Sequence, residues 1–247
     1  METIFPLLII VFFSNLVEAC AGFGATILAL IFGAQFFAIE DLIPILVPLN
    51  LLLSLVIVIR YFGDIDRKTL LTRILPITGI GMPIGMAIFQ AAPSKILKAA
   101  FGVIVVILGL FELTQAALKK NTSTRKLPLW QGSLFLFAGG VMQGLYASGG
   151  PFVVYFASRE IPEKAKFRTT LALLWLILNL VLTVTLVFSG KLTRFTLQYS
   201  LYLLPAVLLG TFVGIQVHNR VSETTFRKLI YGLLVIAGGS LAYRTLQ

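Results

Sequence analysis

Six runs of about 20 apolar residues, at 42–60, 72–90, 96–118, 169–188, 196–216 and 226–243, set the terms for this chain. As a helix rising about 1.5 Å per residue, each spans the roughly 30 Å of hydrocarbon in a bilayer. Only 12% of residues are charged and the mean hydropathy is +0.96; a soluble domain carries about twice that charged fraction. Inside lipid every backbone N–H and C=O must bond within the protein, which leaves helices as the natural answer. The sequence therefore reads as an all-α integral membrane protein with a single membrane domain.

Two further apolar segments are broken near their middles. Segment 4–39 would be about 54 Å long as one helix, too long for a simple crossing. Its centre reads EACAGFGAT, Glu18 to Thr26, where Gly22 and Gly24 favour non-helical backbone. Segment 129–158 breaks at GLYASGGP, Gly144 to Pro151, with Pro151 suited to the first turn of a new helix. Each is either a kinked crossing or a hairpin that leaves on the side it entered.

The broken segments belong to a duplicated unit. Pro76, Gly81 and Gly85 recur as Pro205, Gly210 and Gly214, and midspan Asn50 recurs as Asn179, all 129 positions later. At an offset of 127, Gly63, Arg67, Thr69 and Leu70 match Gly190, Arg194, Thr196 and Leu197. This gives repeat 1 at 1–120, a basic cytoplasmic linker at 121–128 and repeat 2 at 129–247. Each repeat holds one broken segment (4–39 or 129–158) and three spans. Repeats with interrupted helices are a known route to a transporter.

Loop charge chooses between kinked crossings and hairpins. If both broken segments cross, the 20 Lys and Arg divide 11 to 9; if both are re-entrant, they divide 15 to 5. The second division is the asymmetry expected of cytoplasmic loops. One hairpin and three crossings per repeat make the two repeats inverted, with both termini non-cytoplasmic.

Non-helical backbone at membrane depth survives only when buried in protein or lining a wet cavity, so the two tips are expected to meet near the midplane. The helices starting after Gly22–Phe23–Gly24 and after Gly149–Gly150 present free N–H groups and about half a positive charge each, which suits a phosphate, sulfate, sulfonate or carboxylate. Thr26 and Ser148 add hydroxyl donors, and no Lys or Arg lies near either tip. Glu18, on one helical face with Asn15, is an intramembrane carboxylate suited to a coupling proton or to an ammonium group on a zwitterion. With the offset above, its repeat counterpart falls near Leu145. Asn50, Asn179 and Gln143 are candidate cavity linings, whereas Gly81, Gly85, Gly210 and Gly214 read as helix-packing faces.

Other functions fit less well. The net charge of +10 comes from Lys and Arg lying mostly in short loops between spans, so nucleic acid is not an expected partner. Cys20 is alone, which excludes an intrachain disulfide and a thiolate metal cluster. The N-terminus lacks a basic n-region, and VEAC carries a glutamate where a lipobox needs a small or apolar residue, so cleavage there is not expected. No G-x-x-x-x-G-K-[ST] loop is present, so energy is expected from the membrane potential or a proton gradient. No cofactor is expected and no enzymatic activity. A membrane-embedded hydrolase pairing Ser148 with His218 lacks the G-x-S-G pattern, and an anion channel would share the same pore chemistry.

The motifs AGFGA (Ala21 to Ala25) and ASGGP (Ala147 to Pro151), each after an apolar half-helix of a duplicated unit, resemble the sulfite exporter (TauE/SafE-like) family over essentially the whole chain. The resemblance implies movement, usually export, of sulfur-containing anions such as sulfite, taurine or sulfoacetate across a bacterial inner membrane. The candidate substrate-binding set is then Asn15, Glu18, Gly22, Phe23, Gly24, Thr26, Asn50, Gln143, Ser148, Gly149, Gly150 and Asn179. Glu18 is the candidate for a coupling proton.

Overall fold

A computed structural model describes residues 4–21, 24–117, 127–218 and 223–246. The linker expected at 121–128 lies outside these apart from Leu127 and Pro128. In chain order the helices are α1 (Ile4–Ala21), α2 (Ala25–Gly33), α3 (Ile39–Arg60), α4 (Arg67–Thr69), α5 (Leu75–Ala91), α6 (Ser94–Ala117), α7 (Leu129–Tyr146), α8 (Gly150–Glu160), α9 (Lys164–Phe188), α10 (Arg194–His218) and α11 (Glu223–Leu246). A π-helical turn at Leu70–Ile74 joins α4 to α5. It sits where Pro76 cannot donate an N–H to the preceding turn. No strand occurs among the described residues.

The chain is an all-α integral membrane protein. Among the described residues five helices are long and apolar enough to cross a bilayer: Ile39–Arg60, Arg67–Ala91, Ser94–Thr114, Lys164–Phe188 and Arg194–Gln216. Large apolar side chains such as Ile59, Ile80, Ile107, Val187, Leu201 and Phe212 point outward on them. Exposed apolar surface on that scale is at home in lipid and not in water.

The helices form two compact units, Met1–Ile43 with Ala92–Thr122 and Gln198–Gln247, and Pro44–Ala91 with Ser123–Leu197. These cut across the halves expected from the sequence, because each unit takes a broken segment from one half and its clasp from the other. In the second unit, a Cβ added at Gly81 or Gly85 of α5 would strike Phe137 O or Val141 O of α7. In the first, a Cβ at Gly210 or Gly214 of α10 would strike Phe12 O or Leu16 O of α1. The same close contact is thus built twice. The four glycines are packing faces, as their spacing suggested.

Within the first unit α6 packs on α11 in the same manner. A Cβ at Gly102 would lie 2.7 Å from Gly238 O, and one at Gly109 would lie 3.1 Å from Tyr231 O. Adding 129 to Gly102 and Gly109 gives Tyr231 and Gly238, so exchanging the halves converts one approach into the other.

At one end of the second unit, Asp66 caps α4. Its Oδ1 accepts from Thr69 N at 3.0 Å, its Oδ2 from the Thr69 hydroxyl at 2.8 Å, and its own N–H donates to Thr170 Oγ1 of α9 at 2.9 Å. The Thr69 N–H bond, helped by the Thr69 hydroxyl and Lys166, holds the carboxyl below the ordinary range. A lowered folded-state pKa means stability that is complete above about pH 4 and lost as pH falls through the folded value. We expect Asp66→Ala to cost about 1 kcal/mol at neutral pH, the usual worth of such a cap. The difference between variant and wild-type melting should close on acidification below pH 4, and a constant difference would contradict the assignment.

Candidate functional site

The second broken segment is an antiparallel hairpin. Gly132 lies against Phe156, the Phe135 and Tyr155 rings are 4.5 Å apart, and Gly139 lies against Val153, so α8 runs back along α7. The chain therefore leaves this segment near the level at which it entered. Arg73 Nη1 holds Glu160 Oε2, at the end of α8, at 3.2 Å. With the Asp66–Thr170 bond, this puts the basic loops around 60–73 and 159–168 at one end of the unit, where a full crossing by 129–158 would have parted them.

The tip of this hairpin is closed by side chains. α7 ends at Tyr146, and Ala147 takes a left-handed conformation with φ 50°. For a residue with a Cβ that conformation costs on the order of 1–2 kcal/mol, a strain that tight turns at functional sites tolerate. Gln143 Oε1 accepts from Gly149 N at 3.0 Å, and Gln143 Nε2 donates to Asn179 Oδ1 at 2.8 Å. Gln143, Asn179 and Ser148 are 2%, 4% and 5% exposed. Residues 127–158 include no charged side chain. The first bond within α8 is Val153 N to Gly149 O, and Pro151 has no N–H. The remaining donors of that first turn are the N–H groups of Gly150 and Phe152.

The two tip glycines differ. A Cβ on Gly149 would strike Gly139 O, so this glycine serves packing, whereas a Cβ on Gly150 would meet nothing within 4 Å. Of the two, only Gly150 has open space where a side chain would begin.

The first broken segment is closed in a related way. α1 ends at Ala21, Gly24 has φ 109°, and α2 begins at Ala25. Gly22 and Phe23 lie outside the described residues. Glu18 Oε2 accepts from Ala25 N at 2.7 Å, so the carboxylate sits on the N-terminus of α2. α2 has only nine residues, about 13 Å of helix, far short of a crossing. The tips are thus not bare, as the sequence suggested; at each, a side chain from the incoming helix has taken one donor.

Two sequence expectations change. Asn15 does not act with Glu18 through its amide N–H, which donates at 2.9 Å to Val11 O of its own helix. The counterpart of Glu18 is Gln143 and not Leu145. Phe12 and Phe137 answer to each other in the packing described above, as do Leu16 and Val141, which fixes the offset of the hairpins at 125. Glu18 and Gln143 then coincide in position and in role. Asn50 is half-buried in α3, and both it and Thr26 are engaged in interactions. The structure thus brings together Glu18 and Gly24 with Ala25 at one tip, and Gln143, Ser148, Gly149, Gly150 and Asn179 at the other. The His218 side chain lies outside the described residues. No cluster of three His, Cys, Asp or Glu residues able to hold a metal occurs among the described residues.

The sequence model of the family described as "Sulfite exporter TauE/SafE" matches residues 7–241. Among curated proteins, the chain is 23% identical over 170 residues to "Probable sulfite/organosulfonate exporter TauE" of Cupriavidus necator, covering 68% of this chain and 64% of the relative. It is 25% identical over 120 residues to "Probable inner membrane transporter protein TsaS" of Comamonas testosteroni, covering 48% of this chain and 50% of the relative. The matches thus span between half and two thirds of these relatives' lengths. No solved structure matches the chain.

Proposed function

Because the chain belongs to the sulfite exporter TauE/SafE family, we propose that it is a secondary transporter, and not an enzyme, exporting a small sulfur-containing anion across a bacterial inner membrane. An organosulfonate such as taurine or sulfoacetate, or sulfite itself, is the substrate class. The names of both relatives are those of transport proteins, one for sulfite and organosulfonates and one of the inner membrane. The termini lie on the non-cytoplasmic side in this reading, and the two halves are inverted repeats.

One observation carries the site. The hairpin tip at Ser148–Gly150 is a helix start in a segment, residues 127–158, without charged side chains, braced by buried Gln143 and Asn179, and open beside Gly150. The N–H groups of Gly150 and Phe152, with the Ser148 hydroxyl, offer an anion dipoles and no full positive charge. That suits a substrate that must be let go. Gly22, Phe23, Gly24 and Thr26 supply the matching donors at the first tip, with Asn15, Asn50 and Asn179 as polar lining and Glu18 as the proton-carrying group.

The test uses purified protein and thermal shifts with sulfite, thiosulfate, sulfoacetate and taurine. A ligand at about 100 times its Kd stabilises by about 2.7 kcal/mol. Gly150→Ala should melt with wild type when empty, since its Cβ meets nothing, yet should lose most of the ligand shift. A variant that keeps the whole shift would place the anion elsewhere.

A further inference from the structure

We propose that Glu18 is a tethered competitor for the substrate anion: its carboxylate fills the N-terminus of α2 when the site is empty and leaves it on protonation. This rests on the anion-transport reading above. The bond to Ala25 N shows the carboxylate already seated, at 2.7 Å, where an incoming anion would seek donors. In the ionised form it cancels the partial positive charge of the helix start and repels a second anion. Two such charges about 4 Å apart at an effective dielectric of about 20 change affinity on the order of a thousandfold. Once protonated, the carboxylic acid is a weak acceptor for Ala25 N–H and a donor toward the anion. Binding then takes up one proton from solvent onto Glu18, and the released N–H passes to the substrate.

The second hairpin is the built-in control. There Gln143 accepts from Gly149 N at 3.0 Å, one position earlier in the turn, with an amide that carries no charge at any pH. It is further fixed by its bond to Asn179. One tip is therefore ionisable and the other is not, although at each a side chain of the incoming helix accepts from a backbone N–H of the turn, Ala25 at the first residue of α2 and Gly149 just before α8.

Few other groups could imitate this titration. Besides Glu18, α1 carries only Cys20, and α2 has no ionisable side chain. α10 meets α1 at Gly210 and Gly214, with His218 one turn further along. α11 carries Tyr231 and Tyr243 in its body, with its acid and bases toward its ends, and α6, which packs on α2, carries Lys95 and Lys98 in its first turns and Glu112 near its end.

Methanesulfonate is the probe, because its charge is constant between pH 5 and pH 9. Its Kd is measured by calorimetry on the purified full chain across that range at fixed ionic strength. Wild-type Kd should rise toward tenfold per pH unit on the alkaline side. Glu18→Gln should bind with one Kd at every pH, close to the acid limit of wild type. Glu18→Ala should likewise bind with one Kd at every pH, which keeps the test sharp should Glu18→Gln fail to fold. His218→Gln should keep the wild-type slope. The proposal is overturned if Glu18→Gln retains that slope, if His218→Gln abolishes it, or if wild type binds the probe equally at all pH values. Wild type that binds no methanesulfonate at any pH would remove the transport reading itself, and this proposal with it.

Discussion

Gly144→Val should leave little folded protein to purify, and what remains should melt far below wild type. A Cβ at Gly144 would strike Met82 O and lie 2.8 Å from Met86 N, both backbone atoms of α5. On the facing helix, a Cβ at Gly85 would strike Val141 O and lie 2.9 Å from Leu145 N. The two helices touch main chain to main chain, so no flexible side-chain end is present to swing aside. Valine adds three carbons where one does not fit, and α5 must part from α7. In lipid that separation forfeits dispersion contacts with no hydrophobic effect to hold the pair together. Overpacking usually costs 1–3 kcal/mol, and this case belongs at about 3 or above. Gly214→Val, aimed at Leu16 O in the other unit, should behave alike. Gly232→Ala is the control, since nothing lies within 4 Å of its added carbon. A thermal melt of Gly144→Val within a degree of wild type would refute the described contact.

Gln143→Leu should abolish measurable transport while costing less stability than Gly144→Val. The substitution removes the acceptor for Gly149 N–H and the donor for Asn179 Oδ1 together. Both orphaned groups are buried, and each costs about 1–3 kcal/mol when left without a partner. Leucine also leaves the turn at Ala147–Gly149 without the side chain that fixes it, so the N–H groups of α8 lose their aim. Every 1.4 kcal/mol of lost alignment is about tenfold in binding. The double variant Gln143→Leu, Asn179→Leu separates the two effects. Pairing two apolar groups should recover part of the melting temperature, but Gly149 N–H stays unpartnered and vesicle uptake should not return. Recovery of transport in the double variant would show that Asn179, and not the tip backbone, was the point of failure.

The spans were readable because length and apolarity are local properties, and the helices observed at 39–60, 67–91, 94–117, 164–188 and 194–218 cover the expected runs there apart from position 118, which lies outside the described residues. The breaks were readable for a similar reason: glycine pairs within apolar surroundings have few uses. Pairing Glu18 with Leu145 failed because one offset does not describe both parts of the unit. Asn50 is eleven residues beyond the start of α3 and Asn179 fifteen beyond the start of α9. That surplus of four residues is about one helical turn, so the spans sit 129 apart and the hairpins 125. Helical-face reasoning also placed Asn15 beside Glu18, but a side-chain amide within reach of a carbonyl one turn back will take it. The Glu18–Ala25 and Gln143–Gly149 bonds require the chain to double back on itself, which periodicity along a helix does not encode.

Biogenesis is constrained by where each hairpin finds its support. Phe12 meets Gly210, a separation of about 200 residues, and at 5–20 residues per second the ribosome needs roughly 10–40 s to deliver the second after the first. Throughout that wait the N-terminal helix carries a flank shaped for a partner not yet made. A chain stopped after its first half would hold a hairpin without a clasp and a clasp without a hairpin, so neither half is a candidate for independent expression.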